Sequence, residues 1–172
     1  MNIAIQKDPI KQLYFKMIQY YTGNPHQIQH FIKVHSFAKL IAEEEEASGD
    51  LLQVIEAAAL VHDIGIKNAL TEYGHSNGSL QEKLGPPEAK KMLSKLGFKK
   101  SLIERIAYLV GHHHTYENID GLDYQILVEA DFLVNIHEGA YEKDAIQQVN
   151  EKIFKTKTGK TLIKEMFLDE EI

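Results

Sequence analysis

The chain contains no cysteine. Disulfide scaffolds, thiol nucleophiles and thiolate metal sites are therefore excluded. It has no basic excess either: 19 Lys and Arg against 25 Asp and Glu leave a formal net charge of −6. A general nucleic-acid coat has a basic footprint, so that class is set aside; a small basic pocket for one phosphate is not. No apolar run approaches the ~20 residues needed to cross a bilayer. The opening segment MNIAIQKDPIKQLYF lacks a basic stretch followed by an apolar one. No leader, no membrane partner and a cytoplasmic location are the expectations. No segment sustains the alternation of a strand, and there is no internal repeat, low-complexity tract or linker. What is abundant is histidine, with nine copies in 172 residues.

Hydrophobic residues make up 44% and charged residues 26%, which are globular proportions. The apolar spacing is helical throughout. Asp8-Pro9 reads as a helix start, followed by Ile10, Leu13, Tyr14, Met17, Ile18 and Tyr21 on one face. That face can serve as core or as the face of a homodimer, with core favoured. Gly23-Asn24-Pro25 ends the helix. A second helix is expected over about 26–48, closed near Gly49. A third runs from Asp50 through LLQVIEAAALVHD to Gly65 and is apolar on most sides, hence central. Residues 66–85, rich in Gly, Ser and Asn, read as a loop. Pro86-Pro87 start a helix that ends at Gly97. Ser101 and Glu104 form a capping box for the next. Residues 115–122 read as a second loop, Asp123 caps another helix, and one or two more, interrupted at Gly159, finish the chain. The expectation is an all-α protein, a single compact bundle of about six to eight helices spanning 1–172.

Several residues can carry chemistry. His62-Asp63 falls where the third helix ends, so both side chains can converge on one point. His and Asp are a standard nitrogen and oxygen pair for a divalent metal. The alternative is a buried His bonded to its neighbouring Asp. His30, near the start of the preceding helix, approaches His62 in an antiparallel hairpin. The lengths match poorly: at 1.5 Å per residue, His30 to Ser48 spans roughly 27 Å and Leu51 to His62 roughly 16 Å. A steep crossing or an early end to the second helix has to absorb the difference. His35 competes with His30 but sits about 140° round the helix. Asp131 lies on or beside the buried face of its helix, where a carboxylate is costly unless paired or metal-bound. Neither Glu129 nor Asn135 offers it a positive partner. In the run His112-His113-His114, one or two side chains at most can face a pocket. One of them can ligate a second metal, or when protonated steady a phosphate or donate to a leaving group. Lys67, shortly after the His-Asp pair, can reach a phosphate or can be a solvated lysine.

Taken together, His30-(x)31-His62-Asp63-(x)67-Asp131 in an all-helical chain resembles the HD superfamily of metal-dependent phosphohydrolases. His30-Phe-Ile-Lys-Val34, Ala57-Ala-Ala-Leu-Val-His62-Asp63-Ile-Gly65 and Val128-Glu-Ala-Asp131-Phe-Leu are similar to its motif segments. The resemblance covers roughly 26–137, leaving 1–25 and 138–172 as flanking helices.

The resemblance implies a divalent ion (Mn, Mg, Fe, Co, Ni or Zn) held by His30, His62, Asp63 and Asp131. It implies hydrolysis of a phosphate ester of a small metabolite, a nucleotide foremost, through a metal-activated water. Asp63 takes part directly, with His112 or His113 assisting. In dinuclear relatives the Asp of the pair bridges two metals. Here His112 and His113 fall where related proteins have an I-x-x-H-H element, and Glu82 can stand in for a further His, so one ion is expected and a second is open. The Glu-Asp pair of the guanosine tetraphosphate hydrolases is absent after Asp63. The Gly-Tyr-Pro of the cyclic dinucleotide class is absent after the paired His. Two other readings stand beside hydrolysis: a metal-binding sensor or interaction module without turnover, and a di-iron oxygenase.

Overall fold

A computed structural model describes residues 8–169. Residues 1–7, which hold the start of the segment read above for a leader, and 170–172 lie outside the described residues. Within them the chain is all-α. The helices are α1 (Pro9–Tyr20), α2 (Pro25–Glu44), α3 (Gly49–Val61), α4 (Gly65–Tyr73), α5 (Gly78–Lys95), α6 (Lys100–Val110), α7 (Leu122–Glu138), α8 (Lys143–Lys152) and α9 (Lys157–Ile163). A π-helical turn, Lys164–Leu168, follows α9. None of these helices is long and apolar enough to cross a membrane.

Local chemistry explains where the first helices begin. The Asp8 carboxylate accepts from the Ile10 N–H at 3.0 Å, with Pro9 in the first turn. Asn24 accepts from the Gln27 N–H at 3.1 Å, and Pro25 follows it. Each cap satisfies a donor the helix leaves open and contributes about 1 kcal/mol.

Other local expectations give way to packing. The stretch 66–85 is mostly helical, holding α4 and the start of α5. Pro86 and Pro87 lie inside α5 rather than at its start. The helix instead begins at Asn77, whose side chain accepts from the Leu80 N–H at 2.9 Å. The Ser101–Glu104 capping box does not form: α6 starts at Lys100 and its N-cap residue is Lys99. Asp123 sits in the first turn of α7 behind Gly121 and pairs with Arg105 at 2.7 Å. Gly49 opens α3 with φ +58°, because α2 has already ended at Glu44. That early end absorbs the mismatch of lengths between α2 and α3.

The bundle is built round α3. Every residue from Val54 to Val61 is buried, and α3 packs against α1, α2, α6 and α7. Ala57, Ala58 and Ala59 let those neighbours approach closely, while Ile55 and Leu60, fully buried, contribute about 1.5–3 kcal/mol each. One hydrophobic core runs from Ile10 to Ile163. The α1 face belongs to it, with Ile10, Leu13, Met17 and Tyr21 buried; Phe15 and Ile18 face outward. This arrangement sets the start of α2, the end of α3, the end of α6 and the middle of α7 around one point.

Candidate metal centre

His30, His62, Asp63 and Asp131 meet at that point. His30 Nε2 lies 3.2 Å from His62 Nε2, 3.5 Å from Asp63 Oδ2 and 3.2 Å from Asp131 Oδ1. His62 Nε2 lies 3.5 Å from both Asp63 Oδ2 and Asp131 Oδ1. His62 is completely buried, and His30 and Asp131 are each 4% exposed. The His-Asp pair converges because the helical path breaks after Val61 and the chain turns into α4 at Gly65.

Each ring is oriented by its other nitrogen. His62 Nδ1 donates to the Ala59 carbonyl at 2.8 Å, and His30 Nδ1 to Glu138 at 2.8 Å. A carbonyl or carboxylate only accepts, so both Nδ1 atoms carry the proton and both Nε2 atoms face the centre. Asp63 is held from outside: Gln27 Nε2 donates to its Oδ2 at 2.9 Å, and the Tyr21 hydroxyl donates to its carbonyl at 2.7 Å.

The cluster demands positive charge. Burial raises the pKa of Asp63 and Asp131, but the adjacent histidines outweigh it and hold both carboxyls well below their usual range. Burial lowers His30 and His62, but the same carboxylates outweigh it; His30 is raised and His62 is pushed up to about 9. Asp131 Oδ1 and His113 Nε2 are buried and make no hydrogen bond. Such orphaned atoms are rare, and an unseen ion is one of their few explanations. Spacings of 3.2–3.5 Å also match the edges of a coordination shell with bonds of about 2.0–2.4 Å. The donor set, nitrogen and carboxylate oxygen only, suits a divalent cation.

The three consecutive histidines separate. His113 is completely buried at the end of α6; its Nδ1 donates to the Val110 carbonyl at 2.8 Å and its Nε2 lies 3.4 Å from Asp63 Oδ1. His114 joins it: ligand atoms of Asp63, His113 and His114 lie within 4.8 Å of one another. Its ring meets Gln81 Oε1 at 2.7 Å, and burial, then the charge on His113, lowers its pKa to about 4. His112 turns the other way, stacked on Tyr108 at 4.1 Å. The pair that closes on the centre is thus His113–His114, one residue later than the sequence pattern places it. Asp63 faces both trios, Oδ2 toward His30 and His62 and Oδ1 toward His113. Glu82 serves the same loop, accepting from the His114 N–H at 3.0 Å and the Thr115 hydroxyl at 3.0 Å. Lys67 is not brought to the cluster: its ammonium donates to the Tyr20 carbonyl at 2.9 Å and lies over the Tyr20 ring. His35 is engaged elsewhere, between the Tyr14 hydroxyl and Glu56.

Sequence reasoning overlooked Gln27, Tyr21 and Glu138 as parts of the site. Two left a readable trace. Gln27 is one turn before His30, and Glu138 is seven residues after Asp131, on the same face of α7.

A helical bundle that gathers two histidines and two aspartates onto one buried point carries the donor set of a divalent-metal site. The HD domain family model matches residues 28–156, and the chain belongs to that family. Its fold is similar to the crystal structure of a predicted HD superfamily hydrolase from an uncultured Thermotogales bacterium. The two share 24% sequence identity at a TM-score of 0.67, over 96% of this chain and 90% of the other. No curated protein matches the chain.

Proposed function

We propose that the chain is a metal-dependent phosphohydrolase acting on a small phosphorylated metabolite, a nucleotide foremost. The observation that carries this reading is the buried convergence of His30, His62, Asp63 and Asp131, with an Asp131 oxygen left unsatisfied in its midst. These four would hold a divalent ion, and Asp63, His113 and His114 supply the donors for a second. Such an ion withdraws charge from phosphoryl oxygens and makes water acidic near neutral pH.

The chain's own residues do the rest. Gln27 and Tyr21 keep Asp63 turned to the centre. Glu138 and the Ala59 carbonyl keep the Nε2 lone pairs of His30 and His62 inward. When one ion is bound, His113 can pass a proton from Nε2 to a leaving oxygen once its ring carries a second proton. The protein as a whole repels an anion at −6, so the attraction for a phosphate is local to the site. The 115–122 loop beside it is tied down by Arg105, which grips Asp120 and Asp123 at 2.7–3.1 Å. The Tyr124 hydroxyl adds bonds to the His112 and Thr115 carbonyls.

The test is phosphate release from a panel of nucleotides and sugar phosphates with Mn, Co or Mg, beside His62→Ala and Asp63→Ala. Activity in the parent that is lost in both variants is expected; activity surviving both refutes the reading. Stoichiometric metal without turnover favours a binding module. Two irons per chain with oxygen uptake favour an oxygenase, which the Asp63–His113–His114 trio would serve.

A further inference from the structure

We propose that Glu138 is a positioning residue: it fixes His30 in the orientation and tautomer that present Nε2 to the centre, and Lys33 holds it there. The inference rests on the metal reading above and goes beyond it to a residue outside the ligand set.

Three buried histidines point Nε2 inward, and two solve the problem of Nδ1 locally. His62 and His113 stand just past the last residues of α3 and α6, where carbonyls have no helical partner. Each bonds the carbonyl three residues back, at 2.8 Å. His30 cannot do this. It lies within the first turns of α2 (Pro25–Glu44), whose carbonyls are taken by the helix itself. Its Nδ1 needs an acceptor from another element.

Glu138, the last residue of α7, provides it. Seven residues turn a helix by about 700°, within about 20° of two full turns, so Asp131 and Glu138 share one face of α7. The two carboxylates bracket a single imidazole: Asp131 Oδ1 stands 3.2 Å from Nε2 and Glu138 Oε2 stands 2.8 Å from Nδ1. Lys33, one turn beyond His30 on α2, bonds the other Glu138 oxygen at 2.6 Å. The lysine balances the carboxylate's charge and stops it swinging away. Because the carboxylate only accepts, the ring proton stays on Nδ1 and the Nε2 lone pair stays free for a cation. Removing Glu138 leaves the His30 ring free to turn and to exchange tautomers.

The experiment titrates the full-length metal-free protein with Co²⁺ and reads both affinity and the visible cobalt spectrum for the parent, Glu138→Gln, Glu138→Ala and Lys33→Met. Loss of such an outer partner typically weakens metal binding about 10–100-fold, and that loss is expected in Glu138→Ala. Glu138→Gln keeps an acceptor without the charge and should fall between it and the parent. Lys33→Met should weaken binding less than Glu138→Ala. A changed cobalt spectrum in the Glu138 variants marks a changed ligand field, which a purely structural role would leave alone. If Glu138→Ala fails to fold, Glu138→Gln, nearly the same shape, decides. Parent-like affinity and spectrum in the Glu138 variants that fold overturn the assignment of Glu138 while the metal reading stands. A parent that binds no Co²⁺ overturns the metal reading itself, and this inference with it.

Discussion

Gly65→Ala would test how the His-Asp turn is seated. The sequence suggests a glycine that closes α3, but its backbone is not in the left-handed region. Its value is space. A Cβ at this position would lie 2.7 Å from the Gln81 carbonyl oxygen, 2.8 Å from the Gly85 nitrogen and 3.1 Å from the Gly85 Cα. Ordinary contact begins near 3.4 Å, and all three neighbours are backbone of α5, which cannot rotate aside. The helices must separate by several tenths of an ångström. Overpacking of this kind costs about 1–3 kcal/mol. The better helix propensity of alanine returns less than about 1 kcal/mol so near a helix start. A net loss of about 2 kcal/mol corresponds to a fall in Tm of about 4–8 °C for a chain of this size. Function should follow, because Asp63 lies two residues away and α5 carries Gln81 and Glu82, which hold His114. Circular dichroism melting of the metal-free protein measures the first effect, and Co²⁺ titration the second. A variant that melts within about 1 °C of the parent and binds Co²⁺ as tightly would refute the close-approach argument.

Two further outcomes are expected. In the metal-free protein His62 is raised to about 9 from about 6.5 unfolded. Its contribution to stability is therefore fully present below pH about 6.5 and fades as pH rises through about 9. Metal binding runs the opposite way, since the ion needs His62 neutral. Apparent Co²⁺ affinity should climb by about 50-fold between pH 7 and 9, and calorimetry in buffers of different ionisation enthalpy should show proton release. Flat affinity over that range would refute it. Glu129, fully buried, accepts from the Lys155 and Thr156 N–H groups at 2.6 and 2.9 Å. Glu129→Ala strands both donors at about 1–3 kcal/mol each, so urea unfolding should show a loss of about 3 kcal/mol or more, and Glu129→Gln a smaller one.

Much of the fold was legible because helical periodicity is a local property. The α1 face, the buried run of α3 and the Asp8-Pro9 start could be read from neighbours a few residues apart. The misreadings fall where distant backbone overrides propensity. Residues 66–85 carry the composition of a loop, yet α4 is helical there, with Ala69 buried and Gly65 seated against Gly85 of α5. Pro86 and Pro87 look like a helix start only until α5 is seen to begin at Asn77.

The site divides in the same way. The order His30, His62-Asp63, Asp131 and its flanks carried the family resemblance that singled out these four residues, and the packing brings them together. Which of His112, His113 and His114 turns inward could not be read. Neighbouring side chains diverge by about 100°, and a helix end can aim any one of them. The outer partners were least legible of all. Glu138 reaches His30 across 108 residues and Gln27 reaches Asp63 across 36. A hydrogen bond of that kind depends on the crossing of helices, which no local pattern encodes. The sequence by itself determined the all-α class and pointed to the four residues that meet at the centre. Only the packing of α2, α3, α6 and α7 decided which ring nitrogens face the centre and which atoms hold them there.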